Sequence, residues 1–343
     1  MIRISQGSIP RCGRAPGRQE NSIMLTLEHI CQARYRLHGL LPRTPLISSE
    51  TLSKRFGCRV SLKLECLQKT GSFKPRGAFN KMLSLSDDER HRGVVAVSGG
   101  NHAQGVAFAA RRLGIPAIIC MPGSTPANYV DATRGYGADV RLTSCIASAF
   151  AEVDCLADQG RTRVHPFDDP LIAAGQGTVG LEILDDAPDL THIYVSIGGG
   201  GLISGVATAI RSVRPGVRVV GVETHGADAM TRALTAGRPV EMPAITSIAR
   251  TLGAPKVSDF TLETVRRLVE EVVVVEDAEA VSAGCLLLER VKVLTEPAAS
   301  CCLAAAERQR ARFTPADHIV LLLCGGNVSA ADFCGFRQRF LSA

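Results

Sequence analysis

The sequence predicts an α/β protein built as two three-layer subdomains with mostly parallel sheets. Short apolar runs alternate with helical patterns along the chain, the order of β-α-β units that place helices on both faces of a sheet. With 343 residues, 45% hydrophobic and 21% charged, the chain is long enough to bury a sizeable core, and two subdomains fit its length better than one. Aromatic residues are only 4% and tryptophan is absent, so that core must be aliphatic.

Taken in order, apolar residues at helical spacing (Ile30, Ala33, Leu37) predict an entry helix between Leu25 and about Leu40. Arg43-Thr44-Pro45-Leu46 is extended, because the residue before a proline avoids the helical region. Ser49 to Phe56 reads as a helix stopped by Gly57. A strand through Val60, Leu62 and Leu64 then runs into a turn, and a helix carrying Ala78, Phe79, Met82 and Leu83 follows Lys74. Gly93–Ser98 is a strand turned by Gly99-Gly100-Asn101-His102 into the helix Ala103–Leu113, and Gly114–Pro122 brings the next strand. A helix with Tyr129, Val130 and Thr133 precedes Gly137–Val140, and His165-Pro166-Phe167-Asp168-Asp169-Pro170 marks the crossing back between subdomains. In the second half Ile193–Ile197 enters Gly198 to Gly201 and a helix. Val217–Glu223 and Val272–Val275 are further strands, Asp277 is a candidate helix cap, and Ile319–Leu323 is a last buried strand ending at Cys324. Residues 93–168 are expected to form a small subdomain, and 24–92 with 169–343 a large one.

Composition excludes several functions. A net charge of +6 without a long basic block, and so few aromatics, argue against nucleic-acid binding. No apolar run reaches the length of a membrane span. The twelve cysteines are scattered, with no C-x-x-C pair and no zinc spacing, so reduced thiols in a cytoplasmic protein are expected. The first 23 residues are rich in arginine (Arg3, Arg11, Arg14, Arg18) with one acid, Glu20. A transit peptide has this composition; a disordered tail is the preferred reading, with Met24 an alternative start.

The chemistry centres on Lys74. It stands where a helix should begin, with Pro75 at a position that tolerates the fixed φ of proline. Packed beside Phe73 it would lose solvation and lower its ammonium pKa, which makes it a candidate Schiff-base nucleophile. The plain alternative is a solvated lysine at a helix start. The glycine run 198–201 can bring backbone N–H groups onto a phosphate at a helix N-terminus. It lacks the G-x-G-x-x-G spacing of a dinucleotide site and the lysine of a P-loop.

Lys69-Thr70-Gly71-Ser72-Phe73-Lys74-Pro75-Arg76-Gly77-Ala78, Ser98-Gly99-Gly100-Asn101-His102, Gly198–Gly201 and Cys324-Gly325-Gly326-Asn327 lie in register. With them the chain resembles the pyridoxal-phosphate enzymes of the tryptophan-synthase-β fold (fold type II), in the threonine/serine dehydratase and serine racemase branch. The resemblance runs from about Arg43 to about Asn327. It implies that Lys74 bonds the cofactor aldehyde and later moves the substrate Cα proton, and that the four glycines hold the phosphate. Phe73 would lie beside the cofactor. Asn101 would hydrogen-bond the ring O3′, with a helix N-cap as the local alternative. Ser98, Gly99, Gly100, Asn101 and His102 would hold the substrate carboxylate, His102 in a structural role. Glu296 would be an auxiliary group near the ring, with a buried structural carboxylate as the alternative.

Departures from the family pattern narrow the reading. Cys324 stands where relatives place serine against the pyridine nitrogen; a thiol is a weak donor that cannot keep that nitrogen protonated. Gly99 replaces the serine that racemase relatives use as an acid/base. Ile248-Ala249-Arg250-Thr251-Leu252 replaces a common Ala-Asp-Gly and leaves room for a bulkier side chain, such as a 3-phenylserine or a 3-hydroxyaspartate. Glu223 and Ala227 match two positions of a divalent-metal site, but Ala229 replaces its second carboxylate, so Mg²⁺ or Ca²⁺ is weakly supported; a monovalent cation is a further option. The expected activity is elimination of water from a β-hydroxy amino acid, with racemisation, cysteine-synthase-like β-replacement and a non-catalytic sensor as competitors. A homodimer or homotetramer is expected.

Overall fold

The computed structural model describes residues 24–341, so the expectation for the arginine-rich tail lies outside the described residues. Ten strands form two sheets: β1 (Leu46–Ser48), β2 (Arg59–Lys63), β3 (Val94–Val97), β4 (Ala117–Pro122), β5 (Asp139–Thr143), β6 (Thr162–Arg163), β7 (His192–Ser196), β8 (Arg218–Thr224), β9 (Glu271–Val275) and β10 (His318–Leu322). The six-stranded sheet has the order β1-β2-β10-β7-β8-β9 and the four-stranded sheet β5-β4-β3-β6. Every pairing is parallel except β1 on β2.

Alternate residues of each strand feed cores on opposite sheet faces, as the two-residue period of a strand requires. Ile319 and Leu321 of β10 join one aliphatic core, while Val320 and Leu322 join the other. Val94 and Ala96 of β3 likewise separate from Val95 and Val97. Three layers per sheet follow directly.

Local signals set most boundaries. The entry helix is Leu27–Leu37, shorter than its apolar pattern because Thr26 and His29 form a capping box. Ser49 caps Glu50–Phe56, and Gly57 ends it in the left-handed region at φ 69°. One expectation fails: Asp277 is not the cap of the helix Asp277–Leu286. Glu276 is, in a capping box with Glu279. The Asp277 carboxylate instead accepts hydrogen bonds from Ser247 Oγ at 2.6 Å and the Ile248 N–H at 3.0 Å, and so fastens the loop that leads to Arg250.

The 17-residue helix Pro170–Asp186 follows the crossing segment and is buried along most of its length. It packs on Gly201–Val213 so closely that a Cβ on Gly205 would run into the Ala173 carbonyl. A buried charge cluster joins it to the lysine turn. Arg76 (3% exposed) forks onto Glu65 (0%) and reaches Glu182, whose other partner is Lys63, at 2.6 Å. Desolvation pulls the Lys63 pKa down against the pull of Glu182; burial would raise the Glu182 pKa, but the charges of Arg76 and Lys63 carry it below its ordinary value.

Candidate active site

The site forms from the segments that follow four strand ends, those of β2, β3, β7 and β10. β2 and β10 are parallel neighbours, and the turns that leave them stay paired. Phe73 donates its N–H to the Cys324 carbonyl at 3.1 Å, Gly326 donates to Gly71 at 2.9 Å, and Ser72 bridges Gly325. Thr70 is held at φ 65°, a conformation that costs a threonine about 1–3 kcal/mol. Its carbonyl accepts from Asn327 Nδ2 at 2.7 Å, which helps hold the turn.

Lys74 opens the helix Lys74–Leu83, with Phe73 at the cap position and Pro75 next. Its Nζ lies 5.1 Å from the Phe73 ring centroid and donates to the Pro166 carbonyl at 2.9 Å. Desolvation lowers its pKa to about 8, against the opposing pull of Cys324 and Glu296. An amine in that range is partly neutral near physiological pH, so it can act as nucleophile and as base. With Nζ on the Pro166 carbonyl and beside the Phe73 ring, Lys74 is a half-buried lysine rather than a freely solvated one.

Asn101 is the first residue of the helix Asn101–Leu113; Gly100 occupies the cap position, so the N-cap alternative for Asn101 does not hold. Its amide is oriented from both ends. Nδ2 donates to Glu296 Oε1 at 2.8 Å, and Oδ1 accepts from Asn327 Nδ2 at 2.7 Å. One Nδ2–H is left for a further acceptor. Glu296 is buried, and desolvation raises its pKa to about 7 while hydrogen bonds from Asn101 and Thr251 and the charge of Lys74 oppose the rise. Asn327 carries no assigned role in the sequence reading. It binds the lysine turn and the Asn101 turn together, and its carbonyl also accepts from the Tyr129 hydroxyl.

Ser98 Oγ accepts from the Gly100 N–H at 3.1 Å and remains free to donate. His102 sits on the Val164 carbonyl at 2.9 Å through Nε2, with no partner at Nδ1. Desolvation takes its pKa to about 3, with the Lys74 charge adding to the effect, so the ring stays neutral at working pH, its one N–H donated from Nε2 to the Val164 carbonyl. A Cβ on Gly99 would meet Thr125 Oγ1 at 2.6 Å. Thr251, in the short turn Arg250–Leu252, places its Cγ2 3.7 Å from a Cβ on Gly100.

Gly198 to Gly201 join β7 to the helix Gly201–Val213. Each is walled in: the Leu252 carbonyl stands 3.1 Å from a Cβ on Gly198, the Phe167 ring fills the room beside Gly199, Thr261 stands 2.7 Å from a Cβ on Gly200, and Phe167 Cα stands 2.9 Å from one on Gly201. Gly200 also needs φ +95°, which only glycine adopts freely. Side chains are shut out of the turn, while the first N–H groups of the helix have no intrahelical partner. That is a cradle suited to a phosphate. Cys324 lies at the end of β10 with Sγ 3.7 Å from Ser196 Oγ and 3.7 Å from the Ala298 carbonyl. Desolvation holds its pKa well above the ordinary thiol value, so the proton stays on sulfur.

The Glu223 carboxylate accepts from the N–H groups of Met230 and Thr231 at 2.8 Å each and from the Thr231 hydroxyl at 2.6 Å. Desolvation raises its pKa to about 7. Ala227 closes a tight turn onto Thr224. Among the described residues no group of three or more His, Cys, Asp or Glu is arranged to hold a metal ion.

The parts fit pyridoxal phosphate: a partly neutral half-buried amine, an anion cradle built of four glycines, an oriented amide with one spare N–H, and the buried Ser72 hydroxyl without a partner. A model of the family described as pyridoxal-phosphate dependent enzymes matches residues 38–325. The chain is 45% identical to an L-threonine ammonia-lyase of Geobacter sulfurreducens over 93% of this chain and 80% of that one. It is 41% identical to a phenylserine dehydratase of Ralstonia pickettii, over 90% of this chain and 94% of that one. The structure of maize serine racemase superposes with a TM-score of 0.86 at 35% identity, covering 92% of this chain and 98% of that one.

Proposed function

Since this chain belongs to the pyridoxal-phosphate dependent enzymes, we propose that its site eliminates water from a β-hydroxy amino acid, releasing a 2-oxo acid and ammonia. It is a lyase, and L-threonine, L-serine and 3-phenylserine are the substrates to expect. The observation that carries the reading is Lys74, an amine lowered to about pKa 8 between the glycine cradle and the Ser98–His102 turn.

Bound pyridoxal phosphate supplies an aldehyde for amines and an electron-withdrawing ring that acidifies a substrate Cα–H. The chain's residues do the rest. Backbone N–H groups of Gly198–Gly201 would hold the phosphate, and the spare Nδ2–H of Asn101 would donate to O3′. Phe73 would pack beside the ring, and the Cys324 thiol would be the partner of its nitrogen without giving up a proton. The turn from Ser98 to His102 seats the substrate carboxylate, the neutral His102 serving as a spacer. Lys74 Nζ removes the Cα proton; the Pro166 carbonyl is an acceptor for that amine when it is free. Glu296 keeps the Asn101 amide from flipping. Residues 93–168 act as the moving substrate-binding unit. We infer that the protein works as a cytoplasmic homo-oligomer; the eleven free thiols among the described residues support a reducing compartment.

The test is borohydride reduction of the cofactor-loaded protein with peptide mapping, together with 2-oxo acid release from the three substrates. A label on Lys74, and loss of both label and turnover in Lys74→Ala, is expected. A label on another amine refutes the site, and D-serine accumulating without 2-oxo acid refutes the lyase assignment.

A further inference from the structure

Gly99 has no side chain, and the room beside it is filled from another segment. A Cβ there would meet Thr125 Oγ1 at 2.6 Å and Thr125 Cγ2 at 3.3 Å. Thr125 belongs to the loop that leaves β4, turned back by its own N–H donating to the Pro122 carbonyl at 2.9 Å. It is half-buried, and its hydroxyl makes no hydrogen bond with any described residue. A hydroxyl with a spare proton therefore stands against the turn whose other polar groups are Ser98 Oγ and the N–H groups at the start of Asn101–Leu113. Those groups all favour an anion, the helix terminus included.

We propose that Thr125 is a substrate-binding residue, its hydroxyl donating a hydrogen bond to the carboxylate of the amino acid seated on the Ser98–His102 turn. Gly99 and Thr125 form a reciprocal pair: the turn gives up a side chain so that a hydroxyl can enter from the neighbouring loop. The identity of the ligand rests on the dehydratase reading; the pairing of the two residues does not.

The experiment uses cofactor-loaded protein and L-alanine, which has no β-hydroxyl to lose, with binding read by calorimetry. Thr125→Val, equal in shape but without the hydroxyl, should weaken alanine binding about tenfold, the size expected for a hydroxyl–carboxylate hydrogen bond. It should raise KM for L-threonine by more than it lowers kcat, while Thr125→Ser binds like the parent. Gly99→Ser combined with Thr125→Ala returns the hydroxyl from the turn itself and should recover alanine affinity to within about threefold. Gly99→Ser alone, crowded against Thr125, should not improve it. Parent-like alanine binding by Thr125→Val overturns the proposal. If Thr125→Val fails to fold, the Gly99→Ser/Thr125→Ala pair decides, and no recovery over Thr125→Ala alone overturns it. A protein that binds alanine but releases no 2-oxo acid from any β-hydroxy amino acid removes the dehydratase reading and leaves the Thr125 result standing.

Discussion

Replacing Arg76 by methionine tests the buried charge cluster behind the lysine turn. Arg76 makes five hydrogen bonds: two to Glu65 at 2.8 and 2.7 Å, two to Glu182 at 2.7 and 3.0 Å, and one to Thr178 Oγ1 at 3.1 Å. Methionine fills much of the volume but removes the charge. Glu182 keeps Lys63 at 2.6 Å, so it stays compensated. Glu65 keeps only the Thr44 hydroxyl as a hydrogen-bond partner and becomes a buried carboxylate with no cation in contact, Lys63 acting on it only at longer range. Breaking one side of a buried pair costs about 3–5 kcal/mol, and with one of two carboxylates still paired the lower end applies, about 3 kcal/mol. At roughly 2 °C per kcal/mol for a chain of this size, the apoprotein should melt about 6 °C lower. Urea unfolding followed by circular dichroism measures the loss directly. Adding Glu65→Gln should restore at least half of it, because the stranded charge is gone. A loss under about 1 kcal/mol, or no rescue by Glu65→Gln, refutes the claim that a stranded carboxylate sets the cost.

Three further outcomes follow from the site. Lys74 has its pKa lowered to about 8 in the folded apoprotein, so between about 8 and its unfolded value of 10.5 the unfolded chain binds more protons and stability rises with pH; Lys74→Met should abolish that rise in melting temperature. Gly199→Ala drives a methyl into the Phe167 ring and should weaken pyridoxal-phosphate binding at least about tenfold in an absorbance titration, with Phe167→Ala in the same chain recovering part of the loss. Cys324→Ser exchanges a weak donor for a stronger one and should leave cofactor affinity within about threefold while shifting the ratio of 2-oxo acid release to Cα-proton exchange with solvent; an unchanged ratio removes Cys324 from the ring nitrogen.

Features encoded by neighbouring residues were legible before any coordinates. Lys74 followed by Pro75, the run Gly198–Gly201 and the turn Ser98–His102 each announce a strand handing over to a helix, and the structure places each at such a junction. The helix Pro170–Asp186 carried no such signal. It is small and apolar on nearly every side, so its period is faint. The helix Ile146–Asp158 buries only Ala149, Val153 and Leu156, and so narrow a stripe signals equally weakly. The partners that tune the site, Asn327 on Asn101, Pro166 on Lys74 and Thr125 beside Gly99, are long-range contacts or loop returns that no local pattern encodes. Asp277 shows the limit in miniature: the residue type suits a cap, but the neighbouring Glu276 took the position and left Asp277 to hold a distant loop.

The place of β10 between β2 and β7 governs when this protein can become competent during synthesis. The strand bearing the lysine turn is made early, yet its parallel neighbour on the inner side arrives more than 250 residues later. Until Leu322 has cleared the ribosome, β2 and β7 are left as open edges and the turn around Lys74 has no Cys324–Asn327 strip to close against. A nascent chain therefore exposes sticky strand edges until β10 has been made, and the coenzyme has nowhere to dock before then.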